Sequence, residues 1–144
     1  MWSPHLLKDI DAIEKVQKFF TRQLPGMRHL NYTQRLQDLN LQSLEERRIY
    51  FDLLLAFKII KGFVDISASD FFEFSASRTR GHIHKIQIKH SRLNTRKYFF
   101  TNRVAPIWNS LPVHIVSCNT VYSFKNAMKN YNLKPFCRGR TLIA

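Results

Sequence analysis

A chain of 144 residues has material for one domain of ordinary size, and an apolar fraction of 44% with twelve Phe argues against a wholly disordered basic tail. The formal net charge of +13 is unevenly placed, because residues 1–73 hold ten Lys/Arg and ten acids whereas residues 74–144 hold thirteen Lys/Arg and no acid. Two cysteines, Cys118 and Cys137, are too few to staple a secreted scaffold, and Met1-Trp2-Ser3-Pro4-His5 lacks the basic flank and apolar run of a signal peptide. The longest apolar stretch, Phe51 to Val64, is broken by Asp52, Lys58 and Lys61 and is too short to span a bilayer. An intracellular setting, nuclear or cytoplasmic and without a membrane partner, is the expectation.

In chain order, Ser3-Pro4 reads as an N-cap with proline at the first helical position, opening an amphipathic helix from His5 to Gln23. Leu6, Ile10, Ile13, Val16 or Gln17, Phe20 and Leu24 form its stripe, and Pro25-Gly26 stops it. Asn31-Tyr32-Thr33-Gln34 has the form of a capping box and predicts a second helix of about two turns. Ser43-Leu44-Glu45-Glu46 predicts a third, from Leu44 to Lys61 and ending at Gly62, with apolar residues on more than one face. A short helix follows over Ser69 to Phe72, its phenylalanines docking on the third.

Alternation from Ile83 to His90 and a second run from Leu93 to Tyr98 predict a short basic β-hairpin. Helical spacing returns from Phe99 to Ser110, with Pro106 inside it, and Asn119 or Thr120 caps a last helix reaching Tyr131. Phe99, Phe100 and Trp108 read as core residues. The fold class is therefore mainly α: a small domain of four or five helices with a basic hairpin. It occupies residues 1–133, with 1–73 charge-neutral and 74–133 basic, and residues 134–144 read as a flexible basic tail.

Arg78, Arg80, Lys85, Lys89, Arg92, Arg96, Lys97 and Arg103 place eight cations in a run of 26 residues that contains no acid. Guanidinium and ammonium groups in this density neutralise phosphates, mostly without regard to base sequence. Tyr98, beside the charges, is the stacking candidate. Polymerase or nuclease chemistry requires carboxylates that converge on metal ions. Here Asp9, Asp11, Glu14, Glu45, Glu46 and Asp52 are scattered and read as solvated helix acids. No zinc spacing links His82, His84, His90, Cys118 and Cys137, and no phosphate loop or nucleophile elbow occurs. No catalytic residue, metal or cofactor is predicted.

Several spaced motifs carry a family resemblance: Leu24-Pro25-Gly26, Tyr32-Thr33-Gln34-Arg35-Leu36, Leu41-Gln42-Ser43-Leu44-Glu45-Glu46-Arg47-Arg48, and Ser77-Arg78-Thr79-Arg80-Gly81-His82. Asn94-Thr95-Arg96-Lys97-Tyr98-Phe99-Phe100-Thr101-Asn102-Arg103-Val104 and Trp108-Asn109-Ser110-Leu111-Pro112 continue it. From Trp2 to Tyr131 the chain resembles the segment that follows the polymerase domain in jockey-like non-LTR retrotransposon reverse transcriptases. The resemblance implies a thumb-like segment beside the template–primer duplex, in a polyprotein that combines an endonuclease with an RNA-directed DNA polymerase. The family's polymerase metal motif, an aromatic-alanine followed by paired aspartates, is absent. The expectation is thus a truncated, non-catalytic piece that contacts RNA or an RNA–DNA hybrid through phosphates and packs on the polymerase domain of its parent. The alternative is a protein–protein interaction or structural helical module with a basic face.

Overall fold

A computed structural model describes residues 3–75 and 84–139. The expected four or five helices with a β-hairpin are corrected: the described residues hold eight α-helices and one 3-10 turn, and no strand. They cluster into two compact units, a terminal unit of residues 3–49 with 133–139 and a central unit of residues 50–75 with 84–132.

In the terminal unit, helix α1 spans Leu7–Gln23 and starts two residues later than the sequence suggests. Its first turn closes on the Leu6 carbonyl, which accepts from Asp9 and Ile10, so Ser3 does not cap it. Its C-terminus falls where Pro25 holds Leu24 extended and Gly26 takes φ +77°. The fully buried positions of α1 are Ile10, Glu14 and Thr21, so only one member of the expected apolar stripe is fully buried. Val16, Phe19 and Phe20 are left 68%, 69% and 65% exposed. Burial of a carboxylate and a hydroxyl is possible because both are bonded, as described below.

Helix α2, Tyr32–Asp38, has the predicted capping box: Asn31 Oδ1 accepts from Gln34 N and Gln34 Oε1 from Asn31 N, both at 2.9 Å. A Schellman motif ends it. Leu41 N donates to Leu36 O and Asn40 N to Gln37 O, with Asn40 at φ 52°. Helix α3, Leu44–Ile60, begins in the terminal unit with the predicted Ser43–Glu46 box, in which Ser43 Oγ accepts from Glu46 N and Ser43 N donates to Glu46 Oε2.

The segment read as a loose tail is tied down as far as it is described. A 3-10 turn over Lys134–Phe136 leads to Arg138 and Gly139, whose backbone N–H groups donate to the two Glu45 carboxylate oxygens at 2.8 and 2.9 Å.

From Tyr50 onward α3 belongs to the central unit, where Leu53, Leu54, Ala56, Phe57 and Ile59 are buried. A second Schellman motif closes it at Gly62, and Phe63 just beyond stacks on Phe57 at 6.0 Å. The short helix α4, Ala68–Phe71, is followed by buried Phe72, whose ring meets Phe100 at 6.0 Å.

Next comes the region of the expected hairpin. Ile83, the start of the expected first strand, lies outside the described residues, and among those described only an isolated antiparallel bridge, Phe74 with Ile86, forms. The Asn109 side chain explains why: its amide accepts from Ile86 N at 2.9 Å and donates to Ile86 O at 2.8 Å, taking the place of a second strand. Trp108 Nε1 meanwhile donates to His84 O at 2.9 Å. The expected second strand is instead one helical turn, α5, Asn94–Lys97.

Helix α6, Phe100–Ser110, tolerates Pro106 on its exposed side. After Leu111-Pro112 a single turn, α7, Val113–Val116, precedes α8, Val121–Lys129, which Thr120 and Ser123 cap reciprocally. Phe124 of α8 stacks on Phe57 at 4.2 Å and faces Trp108 at 6.4 Å. All three rings are fully buried, each contributing roughly 2–3 kcal/mol of apolar burial. Phe99, expected in this core, is 55% exposed.

Candidate nucleic-acid interface

Six of the eight predicted phosphate contacts lie among the described residues, and these six do not share one environment. Arg78 and Arg80 lie outside the described residues. Lys85 is half-buried. Lys89 closes an exposed ion pair with Glu73, a pairing worth little in water but one that offsets its charge. Arg103 is committed elsewhere: Nε and Nη2 donate to the two oxygens of buried Asp52 at 2.7 and 2.9 Å, and Nη1 to Tyr98 O. Its guanidinium also sits over the Phe100 ring. This is a part-buried structural fork that occupies the guanidinium with a carboxylate.

Arg92, Arg96 and Lys97 remain. All three are exposed, lie within or just before α5, and form no ion pair among the described residues. Lys97 Nζ stands 5.5 Å from the centroid of the half-buried Tyr98 ring, so the stacking candidate already has a cation on its face. Arg96 also lines an open cavity of about 420 Å³ with Lys89, but Asp70 and Glu73 share the lining, and its charge is mixed.

The carboxylates read as solvated are in large part buried. Glu14, 2% exposed, accepts from Tyr32 Oη and from Leu44 N at 3.0 Å, which places it at the N-terminus of α3 where a negative charge suits the helix dipole. Burial, reinforced by this hydrogen bond and charge, raises the Tyr32 pKa well above its ordinary value. Glu45 and Glu46 are buried too. Burial, with the charges of Glu45, Glu46 and Glu14 adding to it, pushes the Cys137 thiol up to about 12, while Arg48 pulls the other way. Two donors of Arg48, Nε and Nη2, are buried with no hydrogen-bond partner among the described residues. The acids thus serve as internal acceptors. Among the described residues no group of three or more His, Cys, Asp and Glu is placed to hold a metal ion, and no helix is long and apolar enough to cross a membrane.

Charge in space does not follow the division at residue 74. Described residues of the central unit carry ten Lys/Arg and four acids, and those of the terminal unit ten Lys/Arg and six acids. Both units are therefore cationic. The contrast between the two halves of the sequence missed a run from Lys15 to Gln37 that contains five Lys/Arg and no acid. No protein-family model, no curated protein and no solved structure matches the chain.

Proposed function

We propose that this chain is a non-catalytic, nucleic-acid-associated segment that holds RNA or an RNA–DNA hybrid by its phosphates, in the manner of the post-polymerase segment of a non-LTR retrotransposon reverse transcriptase. The supporting observation is the exposed trio Arg92, Arg96 and Lys97, set in a stretch of 71 residues with no acid, 74–144, and unpaired among the described residues. Like charges held this close repel, and a polyanion relieves the repulsion. The two arginines add fork geometry that matches phosphate oxygens.

Replacing Arg92, Arg96 and Lys97 together by Gln tests the reading. The triple variant should bind an RNA–DNA hybrid more weakly and with a salt slope shallower by about 2–3. Unchanged affinity and slope would refute the site.

A second reading is favoured by the exposed face of α1. Val16 and Phe20, one turn apart, present apolar surface that a partner would cover, which suits the polymerase domain of a parent polyprotein or a structural helical module.

A further inference from the structure

The terminal unit contains an open pocket of about 430 Å³ lined, among the described residues, by Lys18, Phe19, Arg22, Arg28, Leu30 and Arg35. Four of its six lining residues are cations and none is an acid. Lys18 and Arg22 lie one turn apart on α1, a like-charge spacing that costs a few tenths of a kcal/mol by itself. Pro25-Gly26 turns the chain so that Arg28 and Leu30 come back to the end of that helix, and α2 supplies Arg35.

Arg35 is the fixed point of the pocket. It is 6% exposed, and its guanidinium donates to Thr21 Oγ1 at 3.2 Å, Leu30 O at 2.6 Å and Lys18 O at 3.4 Å. All three acceptors are neutral. The Tyr32 ring faces the same guanidinium and the Lys18 ammonium, at 5.6 and 5.2 Å. Not one of Lys18, Arg22, Arg28 and Arg35 forms an ion pair among the described residues. A buried cation held by neutral oxygens, beside three further cations, is an arrangement whose desolvation and repulsion an anion would offset. The nearest buried acid on α1, Glu14, has its carboxylate engaged by Tyr32 and Leu44.

We infer that this pocket is a phosphate site, and that its occupant is a phosphodiester of a single nucleic-acid strand, with Phe19 stacking on the adjoining base. Arg22 and Arg28, both exposed, are the phosphate-contacting residues, and buried Arg35 is a positioning residue that adds its positive potential. Phe19 decides the source of the phosphate. A 69% exposed aromatic ring among the lining residues of a cationic pocket is of use to a strand with an unstacked base, and of none to an isolated phosphate ion. The inference rests on the nucleic-acid reading for the class of ligand and assigns it a second site.

The experiment uses the full chain and a short oligouridine RNA at low ionic strength, with three double variants and one single. Arg22→Gln with Arg28→Gln should lose affinity about tenfold and shallow the salt slope by about 1–2. Lys125→Gln with Lys129→Gln makes the same change of net charge on α8 and should leave affinity nearly unaltered. Phe19→Leu should weaken oligouridine binding but not binding of an abasic oligomer of equal length. Neither Arg22 nor Arg28 makes a side-chain hydrogen bond or ion pair among the described residues, and removing them relieves repulsion, so unfolding midpoints should not fall. No effect of the pocket pair, or an equal effect of the α8 pair, overturns the site, and no effect of Phe19→Leu overturns the strand. Arg92→Gln with Arg96→Gln reports on the central-unit site separately. If that pair alone is silent, the earlier reading falls and the pocket stands. If the unaltered chain binds no oligonucleotide, both fall.

Discussion

Arg103 and Asp52, 51 residues apart, form a two-pronged ion pair in which Nε and Nη2 each donate to a different carboxylate oxygen. Asp52 is nearly enclosed and Arg103 mostly so. Removing the cation strands a buried carboxylate, so Arg103→Ala should cost about 3 kcal/mol in denaturant unfolding. Arg103→Lys should recover only part of this, because an ammonium cannot span both oxygens. Arg96→Gln, at an exposed position, should stay within about 0.5 kcal/mol of the unaltered chain. A near-silent Arg103→Ala would mean that the fork does not hold the central unit together.

Glu45 anchors the C-terminal segment through the Arg138 and Gly139 amides. A Cβ built on Gly139 would lie 2.9 Å from Glu45 Oε2 and 3.2 Å from Ile10 Cγ2. Gly139→Ala should therefore displace the segment, lower stability by about 1–2 kcal/mol and speed exchange of both amides. Amide exchange measured on the folded chain checks this. Unaltered protection in the variant would show that the neighbours give way at little cost.

Cys137 makes the terminal unit sensitive to alkali. Its thiol is ordinarily near 9.0 and is held at about 12 in the fold. Between those values the unfolded chain has lost the proton and the folded chain has kept it, so stability falls as pH rises through the window and is fully present below it. The raised Tyr32 pKa acts with the same sign above pH 10.0. Cys137→Ser, which does not ionise there, should lose less stability between about pH 9 and 11 than the unaltered chain. Equal losses in the two proteins would assign the effect to other groups. For the same reason Cys137 should alkylate more slowly in the folded than in the denatured chain near neutral pH.

Gly62 sits at φ +70°, and a Cβ placed on it would meet nothing within 4 Å, so its role is conformational alone. Gly62→Ala should cost about 1 kcal/mol without any steric clash. Asn40, at φ 52° in the equivalent place after α2, should accept glycine at no loss. Thermal unfolding of both variants gives the comparison. A larger loss in Asn40→Gly than in Gly62→Ala would contradict the shared motif.

What the sequence made legible was local. The boxes at Asn31 and Ser43, the Thr120 cap and the stops at Pro25-Gly26 and Gly62 all act within a few residues, and all appear where their spacing puts them. The buried face of α1 was hidden because Glu14 and Thr21 go inside only with partners at Tyr32, Leu44 and Arg35, which no periodicity can register. The hairpin failed for a similar reason: the partner of Ile86 is the Asn109 side chain, 23 residues on. Asp52 looked like any helix acid until Arg103 met it. The acid-free run from Lys15 to Gln37 was readable all along, but averaging charge over residues 1–73 cancelled it against Glu45, Glu46 and their neighbours.

The central claim is that exposed, unpaired cations of this chain take phosphates. Affinity for an RNA–DNA hybrid, measured across a range of salt concentrations, tests it most directly. The account predicts a linear fall of log affinity with log salt, steeper than about −2, as counterions are released from at least three phosphates. A flat response, or no binding at low ionic strength, would contradict it.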